Sequence, residues 1–239
     1  MSVHVAFPLA EPLPDCDLCP RLATFRRENE KAYPNYFNGP APTFGDPQAR
    51  LLIVGLAPGL HGANQTGRPF TGDYAGDLLY ETLAKFNFSN NKYAAHADDG
   101  LALTDTAITN AVRCVPPKNK PETAEIRQCA QFLDAQIAAT PNLKAVLCLG
   151  KIAHDATVSA FGEKRSARPF SHGGVHKLDH KGIWLFDSYH CSRYNTNTRR
   201  LTPEMFEGVF DAIRTYLNQT QKSPARSQEK KRSSAGKSS

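Results

Sequence analysis

The chain has 239 residues, 40% of them hydrophobic and 22% charged, which suits one compact domain with an extra segment rather than two full-sized domains. No apolar run reaches the ~18 residues that a membrane helix needs. The opening residues MSVHVAFPLAEPLP lack the basic head and apolar core of an export signal, so a cytoplasmic chain is expected. The formal charge of +6 is uneven: residues 222–239 hold six basic groups and one acidic group, a net +5, leaving +1 for residues 1–221. The basic balance therefore belongs to the tail and does not by itself argue that the body binds nucleic acid.

Four short apolar runs read as buried parallel strands: LLIVGL (51–56), AITNAV (107–112), AVLCLG (145–150) and IWLFDS (183–188). Helical periods lie between them. Ile126, Cys129, Leu133 and Ile137 share one face of a helix opening after Pro121. A last helix opens with Thr202 as N-cap and Pro203 in its first turn, and its apolar face carries Met205, Phe206, Val209, Phe210, Ile213 and Leu217. This alternation predicts an α/β fold with a mostly parallel sheet covered on both faces. Residues 1–218 are expected to form the domain. Residues 219–239 hold too little apolar surface to offset the entropy of ordering and are expected to be a disordered basic tail.

In such sheets ligands bind beyond the carboxyl ends of the strands. The first strand is followed by the glycine-rich stretch APGLHGANQTGRPFTGD (57–73), far longer than a plain strand-to-helix connection. It contains neither a Walker loop nor a G-x-G-x-x-G fingerprint, so no nucleotide cofactor is expected. Its backbone at Ala57 and Gly59 can approach a ligand closely. Phe70 can stack on a planar ligand or plug the core. Asp73 can orient a water or cap the next helix. Asn110 can read a base edge or satisfy loop backbone groups. His190, after the fourth strand, can donate to a developing anion or hydrogen-bond within its loop. The adjacent Cys191 raises a thiol nucleophile as an alternative, although neighbours in an extended segment point to opposite sides.

Six cysteines without an export signal point to a metal, a cluster or free thiols rather than disulfides. Cys16, Cys19, Cys114 and Cys129 form C-x2-C-x94-C-x14-C. Four thiolates suit tetrahedral zinc or an iron–sulfur cluster. Cys129 also lies on an apolar helix face, where a free cysteine packs as a small hydrophobe, and Cys148 reads as that kind of residue.

The stretches GLAPGLHGANQTGRPFTGDYAGD, TNAVRCVPPKNKP and SYHCSRYNTNTRRLT resemble the uracil-DNA glycosylase superfamily, most closely its family five. The resemblance spans roughly residues 16–217. It implies a three-layer α/β sandwich around a four-stranded parallel sheet, with an iron–sulfur-bound N-terminal segment. It assigns a [4Fe–4S] cluster to Cys16, Cys19, Cys114 and Cys129. It makes Phe70 the residue that stacks on a flipped base, Asn110 the reader of the uracil edge and His190 the donor to the departing base. Family five lacks a polar water-directing residue in its first motif, and Ala57 matches that pattern, which leaves Asp73 to position the water. One departure is Cys191, where the family usually has Pro; losing Pro frees φ there.

The resemblance further implies a monomeric, monofunctional enzyme that removes uracil, and other deaminated bases such as hypoxanthine or xanthine, from double- and single-stranded DNA and leaves an abasic site. Ser192, Arg193, Arg199 and Arg200 are then the expected wedge and phosphate clamp. A nucleoid association follows from the substrate. The alternative is a zinc-stabilised DNA-binding module without catalysis.

Overall fold

In the computed structural model of the chain, residues 11–178 and 182–221 are described. The elements follow in chain order: α1 (Pro20–Ala32), β1 (Phe44–Gly45), β2 (Leu51–Gly55), α2 (Ala63–Thr66), α3 (Tyr74–Lys85), β3 (Thr106–Asn110), α4 (Thr123–Ala138), β4 (Ala145–Leu149), α5 (Lys151–Ala160), β5 (Val175–Lys177), β6 (Trp184–Ser188), α6 (Arg193–Asn197) and α7 (Pro203–Gln221). Residues 222–239, most of the expected basic tail, lie outside the described residues, and α7 carries the chain three residues past the expected boundary at 218. Among the described residues no helix is long and apolar enough to cross a membrane.

The apolar runs form the longer strands because both of their faces are covered. Leu51 and Ile53 of β2 join a core with Leu79 and Leu83 of α3 and Phe206, Phe210 and Ile213 of α7. Leu52 and Val54 of the same strand join Leu133 of α4 and Ala153 and Val158 of α5 on the opposite face. A strand with buried side chains on both faces loses the polar alternation of a half-exposed one. Helices thus sandwich the sheet.

The sheet has six strands in the order β1-β3-β2-β4-β6-β5. The pairs β3–β2, β2–β4 and β4–β6 are parallel, and β1 and β5 pair antiparallel at the two edges. The expected four-stranded parallel sheet is therefore corrected to a six-stranded mixed one. The two added strands are two and three residues long and only partly buried, too short to leave a hydrophobic period in the sequence. Register places Gly55 beside Asn110 and Leu149 beside Ser188, so the parallel strands end along one edge.

Helix α7 is the main cover of one face. Thr202 Oγ1 accepts from Met205 N at 3.3 Å, the N-cap expected from the sequence. Phe210 is fully buried and its ring meets those of Phe86, Phe88 and Phe206. Phe210→Ala should lower the unfolding free energy by about 3–5 kcal/mol, read as a shifted midpoint with unchanged slope in a denaturant titration.

Candidate active site

The segments after the parallel strands enclose a cleft of about 520 Å³. Ala57, Gly59, Phe70, Asp73, Asn110, His190, Ser192 and Arg193 all line it. Eight residues expected at a site from the sequence are thus brought together from three loops. His61, Tyr74 and Asn119 line the same cleft. They lie inside two of the stretches that carry the family resemblance but were not singled out, because their place at the cleft arises only on folding.

The floor is set by a close approach. A Cβ built on Gly55 would overlap Asn110 Oδ1 and stand 2.7 Å from Phe70 Cζ. Only a glycine lets the end of β2 run beneath both side chains. Asn110 is 3% exposed and lines the cleft. Its amide offers one acceptor and two donors to the edge of a ligand held there.

Phe70 takes φ of +55°, a left-handed conformation that costs a non-glycine residue about 1–2 kcal/mol. The surroundings impose it. Tyr80 Oη donates to Pro69 O at 2.5 Å and Tyr93 Oη to Phe70 O at 3.4 Å. Arg68 grips both oxygens of Asp99 at 2.7 and 2.8 Å and also donates to His96 O. The Phe70 ring stacks on His190, with centroids 5.8 Å apart and planes at 29°.

Asp73 takes the capping role and also lines the cleft. It is the N-cap of α3, with Oδ1 accepting from Gly76 N at 3.2 Å. Its Oδ2 faces the cleft backbone, where a Cβ on Gly62 would stand 2.6 Å away. Burial pushes its carboxyl above the usual value, against the pull of the Gly76 and Ala75 N–H groups. Asp73 is the one carboxylate among the residues that line the cleft.

His190 follows β6 and is held by Asn195 Nδ2, which donates to its carbonyl at 2.8 Å. Burial pushes its imidazole down to about 4, so the ring is neutral near pH 7 and carries one N–H to donate. Cys191 is fully buried, its Sγ donates to Ala75 O at 3.4 Å, and burial pushes its thiol far up. It is a core residue, and the thiol-nucleophile alternative has no accessible sulfur to act through.

At the cleft mouth Ser192 caps α6 by accepting from Asn195 N, and the Arg193 guanidinium lies 5.1 Å over the Tyr74 ring. Tyr194 is 72% exposed beside them. Arg199 and Arg200 do not line the cleft. Arg199 opens on a neighbouring groove with Asp77, Glu81 and Glu204, and Arg200 lies 4.5 Å over Tyr189.

Cys16, Cys19, Cys114 and Cys129 line one small pocket with Leu22, Val112 and Phe132. α1 supplies its wall because Arg21 pairs with Glu125 Oε1 at 2.7 Å and with Glu122 at 3.2 Å, tying α1 to α4. Burial and the charges of Glu125 and the neighbouring cysteines push the Cys19 thiol up to about 11, and burial takes Cys129 to about 12. Arg113, buried in the same lining, donates from Nη1 to Glu11 and Thr43, while its Nε and Nη2 have no hydrogen-bond partner among the described residues. Four sulfurs beside an unsatisfied buried guanidinium fit a group of net negative charge, as an iron–sulfur cluster with four thiolates is.

A sequence profile of the uracil DNA glycosylase superfamily matches residues 42–214. This chain belongs to the uracil-DNA glycosylase superfamily. The profile spans the cleft, Cys114 and Cys129, but not Cys16 and Cys19. The chain is 46% identical over 196 residues to a type-5 uracil-DNA glycosylase of Thermus thermophilus, covering 80% of this chain and 89% of that one. It is 39% identical over 201 residues to a type-5 uracil-DNA glycosylase of Pyrobaculum aerophilum, covering 82% and 87%. A type-4 uracil-DNA glycosylase of Sulfurisphaera tokodaii is 34% identical over 173 residues, covering 70% and 72%.

The neutral state of His190 can be measured directly. Its imidazole should titrate near pH 4 in NMR spectra of ring-labelled protein, far from the ordinary value of 6.5. The unfolded chain takes up that proton first, so the protein should lose stability as pH falls from about 6.5 toward 4. A His190→Asn variant should lose less over that window.

Proposed function

We propose that the protein is a monofunctional DNA glycosylase that excises uracil and other deaminated bases from DNA. The observation that carries this reading is one cleft uniting a buried amide, a single carboxylate, a neutral imidazole and a strained aromatic ring. The base must leave the stack first, because its glycosidic bond is unreachable inside a duplex. Arg193, Ser192 and the exposed Tyr194 sit where DNA would meet the cleft mouth. Arg193 would neutralise phosphate, giving salt-sensitive binding. Arg199 and Arg200 are assigned to more distant phosphates, and the basic tail to non-specific attraction.

In the cleft Phe70 stacks on the base and the Asn110 amide pairs with its edge. Uracil offers an N–H beside a carbonyl; cytosine offers the reverse order, so the pairing discriminates by about 1–3 kcal/mol. Hypoxanthine and xanthine present the same N–H and carbonyl order as uracil, which supports a broader range. As the bond breaks, its electron pair passes to the base and positive charge builds on the sugar. His190, neutral and facing Phe70, donates its N–H to the oxygen of the departing base. Asp73 orients a water toward the sugar carbon and accepts its proton as the C–O bond forms. Ala57 contributes no polar group, so that task falls to Asp73 alone. No amine is required, and the product is an abasic site.

A [4Fe–4S] cluster on Cys16, Cys19, Cys114 and Cys129 would supply four iron–thiolate bonds tying the N-terminal segment to α4 and to the turn after β3. Arg113, Arg26 and the local backbone would neutralise and orient it; Arg26 Nη1 already stands 3.5 Å from Cys114 Sγ.

Asp73→Asn separates chemistry from folding. It should lower single-turnover excision from uracil-containing DNA at least about 100-fold. The thermal midpoint should stay or rise, since Asn keeps the cap and removes a buried charge. Undiminished excision would remove Asp73 from the mechanism. For the cluster, protein purified without oxygen should be brown with about four irons per chain, and Cys19→Ser should lose the colour. A colourless protein holding one zinc on sulfur would favour the zinc-stabilised binding module.

A further inference from the structure

A second cluster of ligand-type side chains lies outside the cleft lining, at the β5 edge of the sheet. His154 comes from α5, Asp187 from β6 and His176 from the edge strand β5. One ligand atom from each lies within 4.8 Å of the others. His154 Nδ1 stands 2.8 Å from Asp187 Oδ1, and His176 Nε2 stands 3.5 Å from Asp187 Oδ2. His154 and Asp187 are completely buried, and the His176 side chain is 15% exposed.

Two features set this cluster apart from an ordinary buried ion pair. His154 Nε2 lies 2.7 Å from Arg168 O, an atom that can only accept. That bond places a proton on Nε2. Nδ1 stands at hydrogen-bond distance from Asp187 Oδ1, and the carboxylate favours a charged ring, so either a second ring proton or a metal ion bridges the two atoms. Secondly, among the described residues Asp187 Oδ2 and His176 Nε2 are both buried with no hydrogen-bond partner, while the Ser171 N–H also draws on the Asp187 carboxylate. A ring Nε2–H opposite that carboxylate would normally close to hydrogen-bond distance. The ion pairs seen at Asp187 come from the two histidines. The space before Oδ2 is bounded by Gly174, where a Cβ would stand 3.3 Å from that oxygen.

We propose that His154, His176 and Asp187 bind one zinc ion that fastens the edge strand β5 and the 168–174 segment to β6. Two imidazoles and a carboxylate are a borderline donor set suited to zinc, with solvent on the His176 side for the fourth position. The Nε2–H of His154 donating to a backbone carbonyl is the usual support for a metal-bound imidazole. The ion would also steady the cleft. Asp187 lies three residues before His190, and His172 of the fastened segment accepts from Tyr189 N at 3.2 Å.

The test uses the full chain, purified from zinc-replete medium with its cysteine site loaded, and Zn²⁺ as the probe. One zinc per chain is expected in addition to any metal on the cysteines. Its X-ray absorption should show nitrogen and oxygen ligands at about 2.0–2.1 Å. His176 sits on a half-exposed edge strand, so His176→Gln should fold. It should bind Zn²⁺ more than about 100-fold more weakly in calorimetry, a larger loss than removing an outer-shell partner causes. Its iron content and colour should not change. Added Zn²⁺ should raise the thermal midpoint of the wild-type protein but not of the variant. Wild-type protein that binds no zinc outside the cysteines, or zinc surrounded by sulfur alone, overturns the proposal. Equal zinc binding by His176→Gln does the same. None of these readouts depends on uracil excision.

Discussion

The Arg68–Asp99 ion pair is the constraint on which the cleft depends. Arg68 is 3% exposed, and its guanidinium lies within 6 Å of the rings of Phe44, Tyr80 and Tyr93. Burial alone would raise the Asp99 carboxyl, yet the Arg68 fork and the N–H groups of Ala94 and Leu101 hold it well below the usual carboxylate range. The pair locks the 68–73 segment onto the 94–101 loop and, with the Tyr80 and Tyr93 hydroxyls, holds Phe70 in its unfavourable backbone conformation. Strain at the ring that meets a ligand is thus offset by an ion pair that never touches one.

The cleft and the cysteine pocket are two ends of one short path. β3 ends at Asn110, and four residues later Cys114 enters the cysteine pocket. Between them Ala111 N and Val112 N donate to Gly55 O and Leu56 O, so the turn still belongs to the sheet. Arg113 N donates to Cys129 Sγ at 3.3 Å. The amide of Asn110 is therefore pinned on one side by β2 and on the other by whatever the four sulfurs hold. This supports a bracing role for the cysteine site rather than a chemical one.

Much of this was legible before any coordinates. The four longer strands announce themselves as unbroken apolar runs, and α7 by its face of Phe206, Phe210, Ile213 and Leu217. Phe70 and Asp73 were legible within the overlong glycine-rich loop after β2, Asn110 as the end of β3 and His190 as a residue just past β6. The edge strands were not, being shorter than any period. Helix α1 was not either, since its buried residues include the polar Asn29 and Arg26, the latter satisfied by the Cys16 carbonyl. The His154–His176–Asp187 cluster left no trace in spacing, because a helix and two antiparallel strands bring its members together. Arg199 sits in the expected segment, but its place in a groove with Asp77, Glu81 and Glu204 could not be read from the sequence.

Gly55 carries a consequence for how this protein can vary. It bears no functional group and meets no ligand, yet any side chain there would strike both Asn110 and Phe70. Position 55 would therefore behave under mutation like a member of the reactive constellation. A catalogue of intolerant positions would rank it with Asp73 and His190, and only the backbone geometry reveals that its contribution is the empty space above its α-carbon.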